Sequence, residues 1–201
     1  MLKFEVKEEI ENIRIGELKV NGKRIKTPCF WLGLELFNEP NPLDYFNFPT
    51  IMLNGYKLLM KEFKTGLIHE YIKADAIMMD SGGFQLMKKN IDVSVDKVLK
   101  IYRETKPDIG VVLDYPFNPQ NPSDRFERWR KTLENTKLMF ANSDGVALMP
   151  VVHGYTIEEL KKACREVKEI TDPKIVGIGS LVPLVKTVNM KKFMEISKTE
   201  P

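Results

Sequence analysis

Cysteine is scarce in this 201-residue chain: Cys29 and Cys164 stand far apart, with no CxxC pair. That excludes a disulfide framework and a cysteine-rich metal centre, and fits small buried thiols in a reducing cytoplasm. Histidine is as rare, with only His69 and His153. No apolar run approaches the roughly 20 residues of a membrane span, so no membrane partner is expected. The opening MLKFEVKEEI is too charged for a secretory leader. No dinucleotide or P-loop fingerprint occurs, since GIGS at 177–180 lacks the GxGxxG spacing. Neither charge sign dominates; a net +3 and a pI near 8.7 permit a nucleic-acid partner without requiring one.

What remains is an ordinary globular composition, 43% hydrophobic with a mean hydropathy of −0.26, enough for one domain over 1–201. Residues 1–26 read as a hairpin element, because IRIGELKV and KRIKTP flank Asn21-Gly22, a pair favoured in two-residue type I′ turns. Residues 27–201 read as βα units. Strand-like runs fall at 27–33, 50–54, 76–80, 109–114, 145–152 and 174–180. Helical periodicity falls between them. Val95, Val98, Leu99 and Tyr102 mark one helix over 94–106. Phe126, Trp129, Leu133 and Met139 mark the inner face of a second over 123–140. Thr156 and Glu159 form a capping box that opens a third over 156–170. Alternation of this kind gives an α/β fold with a parallel sheet, doubly wound or a (β/α)8 barrel.

Polar groups stand at the ends of five apolar runs: Asn54-Gly55-Tyr56, Asp80-Ser81-Gly82-Gly83, Asp114-Tyr115-Pro116, His153-Gly154-Tyr155 and Gly179-Ser180-Leu181. In a parallel barrel these ends share one face, where active sites sit. Taken alone, DSGGFQ is as much a turn as a site, and Asp114 is as able to cap a helix as to bind a ligand. As a pair, Asp80 and Asp114 suit acid–base work, nucleophilic attack or recognition of N–H donors. No metal-ligand spacing accompanies them. Phe84 and Tyr115 are aromatic enough to sandwich a planar ring.

With these residues in view, the chain resembles the tRNA-guanine transglycosylase family, and most closely its archaeal branch. DSGGFQ (80–85) is the most specific motif, and the others follow in the family's order: TP with an apolar run (27–33), LNGY (53–56), VLDYP (112–116), PVVHGY (150–155) and GIGSLVPL (177–184). The resemblance spans about residues 14–186. It implies a TIM-type (β/α)8 barrel in which guanine in a flipped-out nucleotide is replaced by a 7-deazaguanine base. It implies Asp80, with Ser81, in the chemistry at the ribose. It places Phe84, Gln85, Asp114, Tyr115, His153, Gly154, Gly179, Ser180 and Leu181 around the base, with Asp114 accepting from guanine N1–H and the 2-amino group. The implied partners are a guanine or 7-deazaguanine base and tRNA or another nucleic acid.

The chain also departs from that pattern. About six βα units are legible where the family barrel has eight, and no Asp, Cys or His follows Lys186. The family's ribose-attacking aspartate and zinc site have no counterpart in these residues, so no cofactor is expected in this chain. An open barrel exposes strand edges, which predicts homo- or hetero-oligomers. His153 and Ser180 stand where the family usually has glutamine and glycine. The DRFERWRK run at 124–131 reads as a solvated helix face before it reads as a phosphate contact. The alternatives to base exchange are a non-catalytic base- or nucleic-acid-binding subunit and a divergent nucleoside or base glycosidase.

Overall fold

The computed structural model describes residues 2–11, 13–35, 42–60, 66–118 and 121–180. It opens with three antiparallel strands, β1 (Leu2–Ile10), β2 (Ile13–Val20) and β3 (Lys23–Thr27). Asn21 and Gly22 join β2 to β3 at φ 50° and 80°, the two positive angles that a type I′ turn demands. The first strand, β1, carries mostly exposed and charged residues, so hydrophobic alternation did not mark it.

Five parallel strands follow in the order β4 (Leu32–Leu34), β5 (Thr50–Asn54), β6 (Ala76–Asp80), β7 (Ile109–Val111) and β8 (Leu148–Met149). Short helices α1 (Tyr56–Met60) and α2 (Ile68–Tyr71) lie between β5 and β6, and α3 (Gly83–Lys88) and α4 (Val95–Thr105) between β6 and β7. The helix α5 (Arg125–Ala141) leads to β8. Beyond β8 come β9 (Val151–Val152), α6 (Ile157–Ile170) and β10 (Gly177–Ile178), with β9 and β10 paired in parallel. The strands β5 and β6 match the sequence reading to the residue.

Four expected strands are corrected: 109–114 ends at Val111, 174–180 is a strand only over Gly177–Ile178, and two more are divided. Residues 27–33 are divided: Thr27 ends β3 in the antiparallel sheet, and only Leu32 onward joins the parallel one. The run 145–152 breaks at Pro150, which has no N–H for a ladder. Met149 O accepts from Val112 N on one side of the break, and Pro150 O from Gly177 N on the other. The chain thus changes hydrogen-bonding partner in mid-strand.

Strand alternation divides the core into two faces. Ile77 and Met79 of β6 pack with Leu58 and Leu59 of α1 and with Val98, Leu99 and Tyr102 of α4. Ala76 and Met78 point the other way, with Ile109 and Val111, onto Leu18, Val20 and Ile25 of the antiparallel sheet. A buried carboxylate ties that sheet down. Asp108, just before β7, accepts from Ile77 N at 2.8 Å, with Lys23 Nζ at 2.8 Å and His69 Nε2 at 2.9 Å.

On α5 the expected inner face is partly wrong, because Phe126 is 78% exposed. Met139 is buried as expected, Trp129 and Leu133 are partly buried, and Thr132 and Thr136 are buried in addition. Threonines can turn inward here because their hydroxyls are satisfied: Thr132 Oγ1 donates to Arg128 O and accepts from Tyr115 N. The helix α6 keeps its capping box, with both reciprocal bonds between Thr156 and Glu159.

Candidate active site

The C-terminal ends of β5, β6 and β7 bring the polar groups together. Asn54 and Asp80 are register partners, and Gly55 N donates to Asp80 O at 2.8 Å. A Cβ on Gly55 would lie 2.4 Å from that oxygen, so the turn requires glycine. Asp80 Oδ2 accepts from Gly82 N at 2.9 Å. Gly82, at φ 80°, then leads into α3. DSGGFQ is therefore a turn and a carboxylate mount together. Gly83 packs so closely on the next strand end that a Cβ would sit 2.4 Å from Asp114 O and 2.6 Å from Asp114 Oδ1.

Burial pushes the Asp80 carboxyl up to about 6, helped by the charge of Asp114 and opposed by the Gly82 and Ser81 amides. Asp114 is buried, and the Ser81 hydroxyl donates to its Oδ1 over a long 3.4 Å. It precedes no helix directly, which removes the capping role. Tyr102 lies beneath both carboxylates, and its hydroxyl reaches Val111 O at 2.7 Å and Met79 O at 3.2 Å. Burial first, then the charges of Asp80 and Asp114, drive its phenol well above the usual range. The sequence marked Tyr102 only as core, since helical spacing carries no sign of this tie.

His153 is fully buried, with Nε2 2.9 Å from Asp114 Oδ2 but not aligned as a hydrogen bond to it. Its Nδ1 lies 2.9 Å from Ser180 Oγ. Phe117 stacks at a tilt 5.4 Å away and Trp129 meets the ring edge-on at 6.3 Å, two neighbours that the strand-end pattern did not reveal. Gly179 and Gly154 have packing reasons of their own. A Cβ at Gly179 would lie 2.3 Å from His153 Cε1, and one at Gly154 2.9 Å from Leu160 N.

A cleft of about 410 Å³ opens beside Asp114, between α3 and α5. Tyr115 lines it, its hydroxyl on Asp92 at 3.0 Å and Lys131 Nζ 5.4 Å from its ring centre. Phe84 is half-exposed on α3 outside that lining, so the two rings do not share the cleft. Gln85 carries a buried side-chain oxygen without a hydrogen-bond partner and lies outside the cleft's lining. Leu181 and the VPL segment lie outside the described residues. Of the basic run, Arg128 pairs with Asp124, Arg130 with Glu127 and Glu134, and Arg125 with Glu159. Among the described residues no group of three or more His, Cys, Asp or Glu side chains is arranged to hold a metal ion. Nor is any described helix long and apolar enough to cross a membrane.

The sequence profile of the queuine tRNA-ribosyltransferase family matches residues 9–200. The chain belongs to this family. The tRNA-guanine(15) transglycosylases of Pyrococcus abyssi and Pyrococcus furiosus are 32% and 34% identical to it over 98% of its length. That of Nanoarchaeum equitans is 27% identical over 97%. The chain spans about 35% of the length of the two Pyrococcus proteins and 49% of the third. Family membership agrees with the resemblance drawn from DSGGFQ and its companions.

Proposed function

We propose that this chain builds the base-facing wall of a tRNA-guanine transglycosylase, on part of a (β/α)8 barrel. The observation that carries the reading is the pair of carboxylates, half-buried Asp80 and buried Asp114, held on neighbouring strand ends around Ser81. Guanine presents N1–H and a 2-amino group as donors, and Asp114 supplies an acceptor in a site with little water to compete. In base exchange, the bond between guanine and the ribose breaks and the leaving base takes up a proton. The incoming 7-deazaguanine then bonds the same ribose carbon and releases one. A carboxyl titrating near 6, as at Asp80, both gives and takes a proton close to neutral pH. Ser81 lies between the two carboxylates, and Tyr102 fixes the strand ends that carry them.

The nucleic acid is tRNA in this reading, by analogy with the substrates that the relatives' names state. Among the described residues β4 and β10 each pair on one side only. Association through those edges, with further barrel strands or another subunit, completes the wall. Calorimetry of guanine and a 7-deazaguanine base against the 201-residue protein and its Asp114→Asn variant tests the proposal. Wild-type binding weakened roughly 10- to 100-fold in the variant is expected, the scale of a lost charged hydrogen bond. A folded wild-type protein that binds neither base would refute it.

A further inference from the structure

The basic side chains around the strand ends divide into two kinds. Arg125, Arg128 and Arg130 each pair with a carboxylate. Lys89 and Lys131 pair with none among the described residues, and each rests instead on a tyrosine ring. Lys89 Nζ lies 4.8 Å from the ring centre of Tyr56, and Lys131 Nζ 5.4 Å from that of Tyr115. An ammonium over a ring face gives up none of its N–H donors, so both lysines keep theirs for an anion. The tyrosines are themselves held. Tyr115 follows Asp114 directly, and its hydroxyl donates to Asp92 at 3.0 Å. Tyr56 N donates to Asn54 Oδ1, and a Cβ on Gly82 would lie 2.7 Å from Tyr56 Cβ, so Tyr56 packs on the turn that follows Asp80. Charge in the cleft points the same way. Asp124 is tied to Arg128, Asp92 receives the Tyr115 hydroxyl, and Asp114 meets Ser81 and His153. Glu127 senses the charge of Lys131 but is held by two Arg130 nitrogens, at 2.8 and 3.0 Å. Lys131 is the lining charge that none of them neutralises.

We propose that Lys89 and Lys131, seated on Tyr56 and Tyr115, are phosphate subsites that straddle Asp80 and hold the nucleic-acid backbone on either side of the exchanged nucleotide. This rests on the base-exchange reading above and deepens it. Topology sets the two anchors apart: Tyr56 follows β5 and Tyr115 follows β7, with β6 and Asp80 between them. Two inter-strand spacings separate them by roughly 10 Å. A nucleotide turned out of its strand is bounded by one phosphate on each side, and the two cations flank the strand end that meets its ribose. Seating each ammonium on a ring limits the freedom that a long side chain would otherwise lose on binding. Leaving the ring costs little, about 0.5–1 kcal/mol at an exposed site. Neither contact reads a base; together they fix the register of the strand over the pocket.

Filter binding of an unmodified tRNA transcript between about 50 and 200 mM salt tests the assignment, because the slope of log affinity against log salt counts the phosphates engaged. Lys89→Gln and Lys131→Gln are each expected to lower that slope by roughly 0.7–0.9, which is about a sixfold loss of affinity at 0.1 M salt. The double variant is expected to add the two changes. Arg130→Gln, whose charge is spent on Glu127 and Glu134, is expected to keep the wild-type slope. So is Lys137→Gln, an exposed lysine further along α5. Ethylation interference on the same transcript places the contacts. Two phosphates bounding one guanosine are expected to matter to the wild type and not to the double variant. An equal slope loss in Lys137→Gln, or interference spread along the transcript, would mean diffuse attraction and overturn the proposal. So would wild-type slopes in both lysine variants, or a wild type that binds no tRNA. Guanine calorimetry keeps the two readings apart. Lysine-dependent tRNA binding without guanine binding leaves the phosphate subsites and refutes the base wall, and guanine binding with unchanged slopes does the reverse.

Discussion

Removing the carboxylate of Asp108 tests how the antiparallel sheet is fastened to the parallel one. The Asp108 side chain is 5% exposed, whereas those of Lys23 and His69 are 34% and 30% exposed. After Asp108→Ala both basic groups recover water, so each pair is worth about 1 kcal/mol or less, as for screened surface pairs. The Ile77 amide cannot recover it, because Ile77 is fully buried. An unpaired buried N–H costs about 1–3 kcal/mol. The expected total is about 2–4 kcal/mol. In Asp108→Asn the amide oxygen still accepts from Ile77 N, and only the charge pairing is lost, about 1–2 kcal/mol. Urea unfolding followed by circular dichroism measures both. With a slope of about 2–3 kcal/mol per molar, the alanine variant unfolds roughly 1–2 M earlier and the asparagine variant by about half that. Raising the salt shrinks the gap between wild type and Asp108→Asn and leaves that between Asn and Ala unchanged. Equal losses in the two variants, or an alanine penalty that disappears in salt, would refute the assignment to the Ile77 amide.

Three further outcomes follow from the geometry. The folded-state carboxyl of Asp80 lies at about 6, above the usual aspartate value of 3.8, so the folded protein holds more protons between those values and loses stability as pH rises through them. Asp80→Asn is therefore expected to stabilise the protein by up to about 3 kcal/mol at pH 7.5 and hardly at all at pH 3.5, read by unfolding at both values. Gly83→Ala drives a methyl against Asp114, so guanine affinity should fall in calorimetry along with a loss of about 1–3 kcal/mol in stability; unchanged affinity would contradict that packing. On α5, Met139→Ala should cost about 2–5 kcal/mol and Phe126→Ala less than about 0.5, because only Met139 is buried; thermal melts of the two variants rank them.

The sequence was most informative where one local rule governed. Thr50–Asn54 and Ala76–Asp80 are short apolar runs closed by polar turns, and both became strands with those limits. Asn21-Gly22 and Thr156–Glu159 each carry their own chemistry, and the hairpin and capping box formed as read. Elsewhere the outcome depended on partners that no local window contains. Thr27 pairs back with Gly16, so the run that follows it starts a strand only at Leu32. Thr132 and Thr136 face inward because their hydroxyls find main-chain groups, which a hydrophobic pattern scores against. In the site, the strand-end rule located Asp80, Asp114, His153 and Ser180. It was silent on Tyr102, Phe117 and Trp129, whose contacts come from a helix or from across the sheet. His69 drew no notice, because its partner Asp108 lies 39 residues further on.

The interruption at Pro150 divides the site into two mechanical units. Asp80 and Asp114 ride on β6 and β7, which are laddered to each other and, through Met149, to the first half of the broken strand. His153 and Ser180 ride on the second half and on β10, joined by Gly177 N to Pro150 O and Gly179 N to Val152 O. Asp114 thus belongs to one hydrogen-bonded ladder and His153 to the other. The seam between them runs through a residue with no amide hydrogen to pin it. The gap between Asp114 and His153 is set by how these two ladders meet, and Phe117 N on Ser180 Oγ, the Tyr155 hydroxyl on Phe117 O and Trp129 Nε1 on Glu166 clamp that junction from outside the strands.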